Sequence, residues 1–152
     1  MQIWIDGDAC PADVKELLFR TAERRAVKMT LVANQSVRVP KSDFISSLLV
    51  PNGANVADRR IVELLEPGDL VITADIPLAA DVIAKGGEAL DPRGELHTET
   101  NIGQRLAMRN LIDQMRGSGE IVRGPTNFTA NDRRAFANAL DRWLTKASKK
   151  SS

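Results

Sequence analysis

The strongest indication of the fold is Met1-Gln-Ile-Trp-Ile-Asp-Gly-Asp8, an apolar run that ends in two carboxylates separated by a glycine. Its apolar part predicts a short buried strand, and Pro11 stands at a typical first position of the next helix. A second apolar run, residues 69–74, leads to Asp75 in the same way. Because the carboxyl ends of parallel strands line the ligand crevice of an α/β sheet, we expect these acids at one edge.

Apolar runs and helical patterns alternate outward from these strands. Strands are predicted at residues 3–5, 28–33 and 70–74, with an edge strand at 88–90. Residues 44–50 are ambiguous, a short helix turning into a third strand being one interpretation. Helices are predicted at residues 11–25, 56–65, 77–85 and 102–116, and from 129 onward. This alternation predicts an α/β protein, a three-layer α/β/α sandwich with a mostly parallel central sheet and extra C-terminal helices.

The last third of the chain carries weaker strand signals. Residues 91–100 are predicted to form a long polar loop, a kind of segment that is often functional in compact domains. A loop containing Gly and Pro is predicted at 117–128, after which Thr129 matches a helix cap. The basic residues 146–152 are expected to fray. The apolar residues of the 102–116 helix share one face: Met108, Leu111, Ile112 and Met115.

The composition is that of an ordinary globular protein. A chain of 152 residues with 43% hydrophobic and 27% charged residues predicts one domain spanning residues 1–152. The apolar runs are too short to span a membrane, and no signal segment is recognisable, so a cytoplasmic protein without membrane partners is expected. A single cysteine, Cys10, and a single histidine, His97, argue against a disulfide framework and against zinc chemistry.

The net charge of +1 conceals an asymmetry along the chain. Residues 1–101 contain 11 Lys/Arg and 16 Asp/Glu, which gives −5, whereas residues 102–152 contain 10 and 4, which gives +6. An acidic first part and a basic last part fit a metal site beside a track for a phosphate backbone. A solvated surface with unevenly distributed charge fits the same numbers equally well.

Four aspartates form the candidate catalytic set. If the strands that end at Asp6 and Asp75 are neighbours, their carboxylates repel each other unless a cation offsets the charge. A site built from oxygen ligands alone suits Mg²⁺ or Mn²⁺, which can orient a water and neutralise a phosphodiester oxygen. Asp8 and Asp58 are the other members, after the first strand and near the start of the 56–65 helix.

Each candidate also has a local explanation. Asp8 and Asp75 are placed to cap the helices that follow them, and Asp58 lies where the helix dipole favours an acid. Cys10 precedes a helix start, where a thiolate would be stabilised, and is a candidate nucleophile. A small residue in a tight turn is the favoured interpretation of Cys10, because His97, the only histidine, is far away along the chain.

Polar residues at strand ends and in the basic part of the chain are candidates for substrate binding. They are Asn34, Gln35, Thr73, Arg93, Asn101, Arg105 and Arg109. Arginine pairs with phosphate in a bidentate way, which extends the hypothesis to Arg116 and Arg123. For each arginine an ordinary solvated charge is the alternative, and Thr73 can equally point into the core.

The most specific motifs resemble the bacterial YaiI/YqxD family. They are Asp-Gly-Asp-Ala-Cys-Pro at residues 6–11 and Gly-Asp-Leu-Val-Ile-Thr-Ala-Asp-Ile-Pro-Leu-Ala at residues 68–79. Shorter matches extend the resemblance to about residue 143, at 32–35, 57–58, 92–95, 101–102, 109–110 and 124–125. That family is assigned to the PIN-like fold group, whose active members are metal-dependent ribonucleases. The resemblance therefore implies a PIN-like fold with RNA, or another nucleic acid, as the partner.

The resemblance also implies roles for the aspartates. Asp6, Asp58 and Asp75 would hold a Mg²⁺ or Mn²⁺ ion, and Asp8 would be a further ligand or would position a water. The chain departs from the family pattern at Asn55, where an acid is usual, so that the expected site carries less negative charge. The leading hypothesis is a metal-dependent nuclease of PIN-like type.

Two other functions fit the same residues. A phosphatase of the haloacid-dehalogenase type also has Asp-x-Asp after its first strand, and Asp6 would then be the nucleophile. A non-catalytic binding module would use the acids to hold a structural metal or to cap helices, since a fold does not determine a function. The oligomeric state is left open by the sequence.

Overall fold

The apolar run at the start of the chain forms an inner strand of a six-stranded sheet. The computed structural model describes residues 1–117 and 128–150. The strands are β1 (Ile3–Asp6), β2 (Met29–Ala33), β3 (Ile45–Leu49), β4 (Leu70–Ile72), β5 (Glu88–Leu90) and β6 (Leu96–His97). The helices are α1 (Ala12–Arg25), α2 (Val56–Leu64), α3 (Ile76–Ala84), α4 (Ile102–Gly117) and α5 (Ala130–Lys150).

The strands lie in the order β3-β2-β1-β4-β5-β6. Every pair from β3 to β5 is parallel, and only β6 runs antiparallel, against β5. Helices cover both faces of the sheet, which confirms the predicted α/β class and the three-layer α/β/α sandwich. The arrangement is consistent with a PIN-like fold.

Some local predictions differ from the structure. The ambiguous residues 44–50 contain strand β3, and β5 is not an edge strand, because β6 pairs with it. The sequence gives no sign of β6, since two residues within a polar stretch carry no periodic pattern. Helix α5 extends to Lys150 and so includes most of the basic segment 146–152, whose fraying stays a prediction. The predicted loop at 117–128, including Arg123, lies outside the described residues except at its two ends.

Side chains alternate across the sheet and build two apolar layers. Ile3 and Ile5 of β1 point to the face covered by α1 and α5, where Phe136 is fully buried. Trp4 points to the opposite face, where it packs with residues of α2 and α3. Strands buried on both sides explain why the β2 and β4 sequences are almost uninterruptedly apolar.

The order of the strands fixes where a site can form. The chain leaves β1 toward β2 and β3 and then returns to β4 on the other side of β1, so the winding direction reverses between β1 and β4. In open α/β sheets ligands bind at such a switch point, beyond the carboxyl ends of the strands. Asp6 ends β1, and Asp75 follows β4 by three residues, so both acids lie at this crevice.

A close backbone contact holds α5 against the end of the sheet. Gly94 has φ +96°, and a β-carbon added there would lie 2.7 Å from the carbonyl carbon of Ala135. Beside it, Arg93 forms an ion pair of 3.0 Å with Asp132 in the first turn of α5. The turn between β5 and β6 is therefore an anchor for the last helix.

Helix α4 is the least covered of the helices. It packs on α3, yet its apolar face is largely open, with Met108 and Leu111 about half exposed. Among the described residues no helix is long and apolar enough to cross a membrane.

Candidate functional site

Gly7 allows the chain to pass closely over β2 as it leaves β1. Its amide donates a hydrogen bond of 2.9 Å to the carbonyl of Val32. A β-carbon at this position would lie 2.6 Å from Cδ2 of Leu31, so a larger residue would displace the turn or the neighbouring strand. The glycine between the two aspartates is thus a packing requirement that sets the direction of Asp6 and Asp8.

Thr73 connects the ends of β1 and β4. Its hydroxyl donates a hydrogen bond of 2.9 Å to Oδ2 of Asp6, and both side chains are buried. The same hydroxyl oxygen accepts a hydrogen bond of 3.0 Å from the backbone amide of Asp75. Thr73 therefore points into the site and fixes two of the candidate acids relative to each other.

Asp75 is a helix cap and a member of the acidic group at the same time. Its Oδ1 accepts a hydrogen bond of 3.0 Å from the amide of Leu78, which caps α3. The local explanation for Asp75 is thus correct, but a cap uses only one carboxylate oxygen. The negative charge of Asp75 also acts on the neighbouring carboxyl of Asp58, whose pKa it helps to raise.

Asp8 does not cap the helix that follows it. The first turn of α1 has no side-chain cap, and Oδ2 of Asp8 accepts a hydrogen bond of 2.9 Å from the amide of Asn34. This bond crosses from the end of β1 to the end of β2, so Asn34 contributes its backbone amide to the position of Asp8.

Asp58 lies in the first turn of α2. This helix begins after Asn55, whose backbone has a left-handed conformation with φ 64°. Burial, followed by the negative charges of Asp75, Asp6 and Asp8, raises the pKa of Asp58 to about 6. The pKa of Asp6 is also raised, first by burial and then by Asp75 and Asp8, although the hydrogen bond from Thr73 opposes this. The four predicted aspartates therefore share one electrostatic environment.

The chemistry of this group can be compared with the needs of a metal ion. Within residues 1–117 and 128–150 no three Asp, Glu, His or Cys side chains are gathered tightly enough to hold one ion together, so Asp6, Asp58 and Asp75 do not converge as a ligand triad. Mg²⁺, however, is commonly bound through one or two carboxylates and several waters. Asp58 and Asp75 offer such a pair of hard oxygen ligands, and a cation bound between them would offset the repulsion that helps to raise the pKa of Asp58.

A cleft of about 590 Å³ opens beside this pair. Asp58 and Asp75 line it, whereas Asp6 and Asp8 are not among its lining residues. Arg59 and Arg109 also line the cleft, and Arg109 forms an ion pair of 3.2 Å with Asp113. Arg59 was not predicted as a site residue, although it directly follows the candidate Asp58 in the sequence.

The other candidate substrate-binding residues have separate surroundings. Arg93 pairs with Asp132, as described above. Asn101 fixes the turn before α4, because its side chain accepts a hydrogen bond from the amide of Thr98 and donates one to the carbonyl of Leu96. Gln35 lies at a small separate hollow of about 40 Å³ near β3. The structure does not bring these three residues to the acidic cleft.

Arg105 holds α4 to strand β6. Its guanidinium lies 2.7 Å from Nδ1 of His97 and 3.6 Å from a carboxylate oxygen of Glu95. Burial and the charge of Arg105 lower the pKa of His97, which keeps its ring neutral. Since arginine only donates, Nδ1 accepts and Nε2 carries the proton. The role of Arg105 is thus to position α4, the helix that brings Arg109 to the cleft.

Cys10 is buried, and the structure supports its interpretation as a turn residue. Burial raises the pKa of its thiol to about 12, with a further contribution from Asp6 and an opposing one from Lys15. A thiol with this pKa stays protonated at neutral pH, and a protonated thiol is a poor nucleophile.

Comparisons with known proteins cover almost the whole chain. A family model described as "Uncharacterized BCR, YaiI/YqxD family" matches residues 4–146. A "UPF0178 protein" of Shewanella amazonensis is 58% identical over 149 residues, which are 98% of this chain and 100% of the relative. A protein of the same description from Saccharophagus degradans is 58% identical over 151 residues, 99% and 100% of the two chains. A third, from Thioalkalivibrio sulfidiphilus, is 59% identical over 146 residues, 96% and 99%.

Proposed function

The chain belongs to the bacterial YaiI/YqxD family, and we propose that it is a Mg²⁺- or Mn²⁺-dependent nuclease that cleaves RNA at the cleft beside Asp58 and Asp75. One observation carries the proposal: four aspartates from three different segments lie at the switch point of the sheet, where burial and the charges of the neighbouring acids raise the pKa values of Asp6 and Asp58. Perturbed carboxyl groups in a cleft are typical of functional sites.

The electrostatic cost of this group supports a cation as its partner. Like charges held at short range destabilise the folded chain unless a proton or a metal ion offsets them. At neutral pH a proton is bound only weakly by Asp58, whose pKa is about 6. When bound at Asp58 and Asp75, a divalent cation would neutralise phosphodiester charge and lower the pKa of a water.

The remaining polar groups would keep this pair in place. Thr73 orients Asp6 and the backbone of Asp75 through one hydroxyl group. Asp6 in turn adds negative charge behind the cleft, and this charge strengthens the attraction for a cation. Asp6 and Thr73 therefore act as positioning residues in this proposal.

Two arginines would bind the substrate. Arg59 and Arg109 lie on the wall of the same cleft as Asp58 and Asp75. A guanidinium holds phosphate through two parallel hydrogen bonds, which would place a phosphodiester next to the acidic pair. RNA is proposed as the substrate because the chain resembles the PIN-like group, whose active members cleave RNA.

The phosphatase alternative is disfavoured by the burial of its nucleophile. Asp6 is only 5% exposed and already accepts a hydrogen bond from Thr73. A nucleophile for in-line attack on phosphate must reach the substrate directly, and Asp6 does not line the cleft.

The proposal can be tested with single-stranded RNA and purified protein. The key variant is Asp75→Asn, because asparagine preserves the helix cap of α3 while it removes the charge. We expect Mn²⁺-dependent cleavage by the wild type and none by Asp75→Asn or Asp58→Asn. Asp13→Asn, which changes an exposed acid in the first turn of α1, is the matched control and should cleave normally. Equal cleavage by all of these proteins would indicate a contaminating nuclease and refute the proposal.

A further inference from the structure

A second groove lies between α1 and α5, on the face of the sheet opposite the acidic cleft. Its volume is about 450 Å³, and its floor includes Leu17 of α1 and the buried Leu140 of α5. The acidic cleft is formed by α2, α3 and α4, which lie across the sheet from α1 and α5. The two cavities are therefore separate sites.

Arginines from both helices surround this groove. Arg20 and Arg24 lie one helical turn apart on α1, and Arg133 faces them from α5. Within residues 1–117 and 128–150, neither Arg24 nor Arg133 forms an ion pair. Two guanidinium groups are thus free to bind an anion.

The carboxylates near the groove do not cancel this charge. Asp141, the only acid in the lining among the described residues, is bound by Arg25 at 2.7 Å. Glu16 pairs with Arg20, but both side chains are more than 60% exposed. Such surface pairs contribute little free energy, so a phosphate could replace Glu16 at low cost.

From this arrangement we propose that the α1–α5 groove binds phosphate groups of a nucleic-acid strand. Arginine matches phosphate geometry with paired hydrogen bonds, and the apolar floor offers a surface for a sugar or a base. A volume of about 450 Å³ lies within the usual range for small-ligand sites and suits one nucleotide unit. The groove would bind a strand at a distance from the acidic cleft, whether or not that cleft cleaves RNA.

The test measures binding of a fluorescently labelled oligouridylate by anisotropy, in EDTA and at low salt. EDTA removes divalent cations, so the result is independent of the proposed nuclease activity. The variant is the double charge reversal Arg24→Glu/Arg133→Glu. The matched control is Arg134→Glu, an exposed arginine on α5 that does not line the groove. Circular dichroism of each variant verifies that it is folded.

We expect the double variant to bind at least about tenfold more weakly, with a smaller dependence on salt, and the control to bind like the wild type. Unchanged binding by the folded double variant, or an equal loss in Arg134→Glu, would overturn the proposal. AMP serves as a second probe for a small phosphate compound. If AMP binds as tightly as the oligonucleotide and is lost in the same variant, the groove binds a small phosphate compound and the assignment to a strand is wrong.

Discussion

The hydroxyl of Thr73 donates a hydrogen bond of 2.9 Å to the carboxylate of Asp6, and this bond joins the carboxyl ends of two neighbouring parallel strands. Both partners are almost completely buried. The same hydroxyl oxygen also accepts a hydrogen bond from the backbone amide of Asp75, so one side chain sets the spacing of two acids at the switch point. The candidate site is thus built into the sheet itself.

Thr73→Val should test this connection. Valine keeps the shape of threonine but leaves the buried Asp6 carboxylate without its hydroxyl partner, which we expect to cost about 1–3 kcal/mol of unfolding free energy. Cleavage of RNA should fall by about 10- to 100-fold, because Asp6 and Asp75 lose the hydroxyl that positions them. Urea unfolding measures the first effect. Thr145→Val, at an exposed position of α5, is the control, and an equal loss in both variants would refute the role of Thr73.

The pH dependence of stability should report on Asp58. Its pKa is about 6 in the folded chain against an ordinary value of 3.8, so the folded state binds the proton more tightly. This contribution to stability is fully present below pH 3.8 and is lost as pH rises through about 6. In EDTA, the gain in melting temperature from Asp58→Asn should therefore be small near pH 4 and grow toward neutral pH.

The control for this titration is Asp43→Asn, which changes an exposed acid before β3. Its effect on the melting temperature should not follow the same course between pH 4 and neutral pH. A pH-independent effect of Asp58→Asn would mean that neither burial nor the neighbouring acids raise the pKa of Asp58 in the folded chain.

Gly7→Ala should destabilise the turn between the first two aspartates. The new methyl group would meet Leu31 at 2.6 Å, and overpacking of this kind costs about 1–3 kcal/mol. Gly103→Ala is the matched control, because nothing lies within 4 Å of its added methyl group in the first turn of α4. Alanine there should leave the unfolding free energy unchanged or raise it slightly. If both variants unfold at the same denaturant concentration, Gly7 is not required for close packing.

Gly94→Ala should show whether the close backbone contact at Gly94 adds to the free-energy cost of its positive φ angle. Gly94 and Gly68 have similar φ angles of 96° and 92°, but only Gly94 faces a neighbouring backbone, at 2.7 Å. Gly68→Ala should cost about 1–2 kcal/mol through its conformation alone. Gly94→Ala should cost clearly more, because Ala135 belongs to helix backbone that cannot move aside. Equal losses by denaturant unfolding would show that α5 is not anchored at this turn.

The sequence predicted the parts of the fold that carry a regular pattern. Asp6 and Asp75 follow apolar runs, and parallel strands bring such ends together, so their proximity could be inferred before the structure. Asp58 is different, because no periodicity places the start of α2 beside those strand ends. Its place near the start of the helix made it a candidate, and the resemblance to the PIN-like group implied its role as a ligand. In the structure Asp58 and Asp75 line the same cleft.

Other features could not be predicted because they depend on tertiary contacts. Strand β6 exists through its pairing with β5, in a stretch without alternation. The hydrogen bond from Asn34 to Asp8 is donated by a backbone amide, and such a bond cannot be inferred from the residue type. Arg93 and Arg105 were grouped with Arg109 as phosphate ligands, yet only Arg109 lies at the cleft. Residue type indicates that an arginine can bind phosphate, whereas its neighbours decide what it binds.

Cation binding at Asp58 and Asp75 can be measured directly by calorimetric titration of Mn²⁺ into the wild type, Asp58→Asn and Asp75→Asn near neutral pH. We expect the wild type to bind Mn²⁺, with a small release of protons from Asp58, whose pKa is about 6. Both variants should bind much more weakly, and Asp13→Asn should bind like the wild type. Absence of binding by the wild type at millimolar Mn²⁺, or equal binding by all four proteins, would contradict the proposal that Asp58 and Asp75 bind the cation.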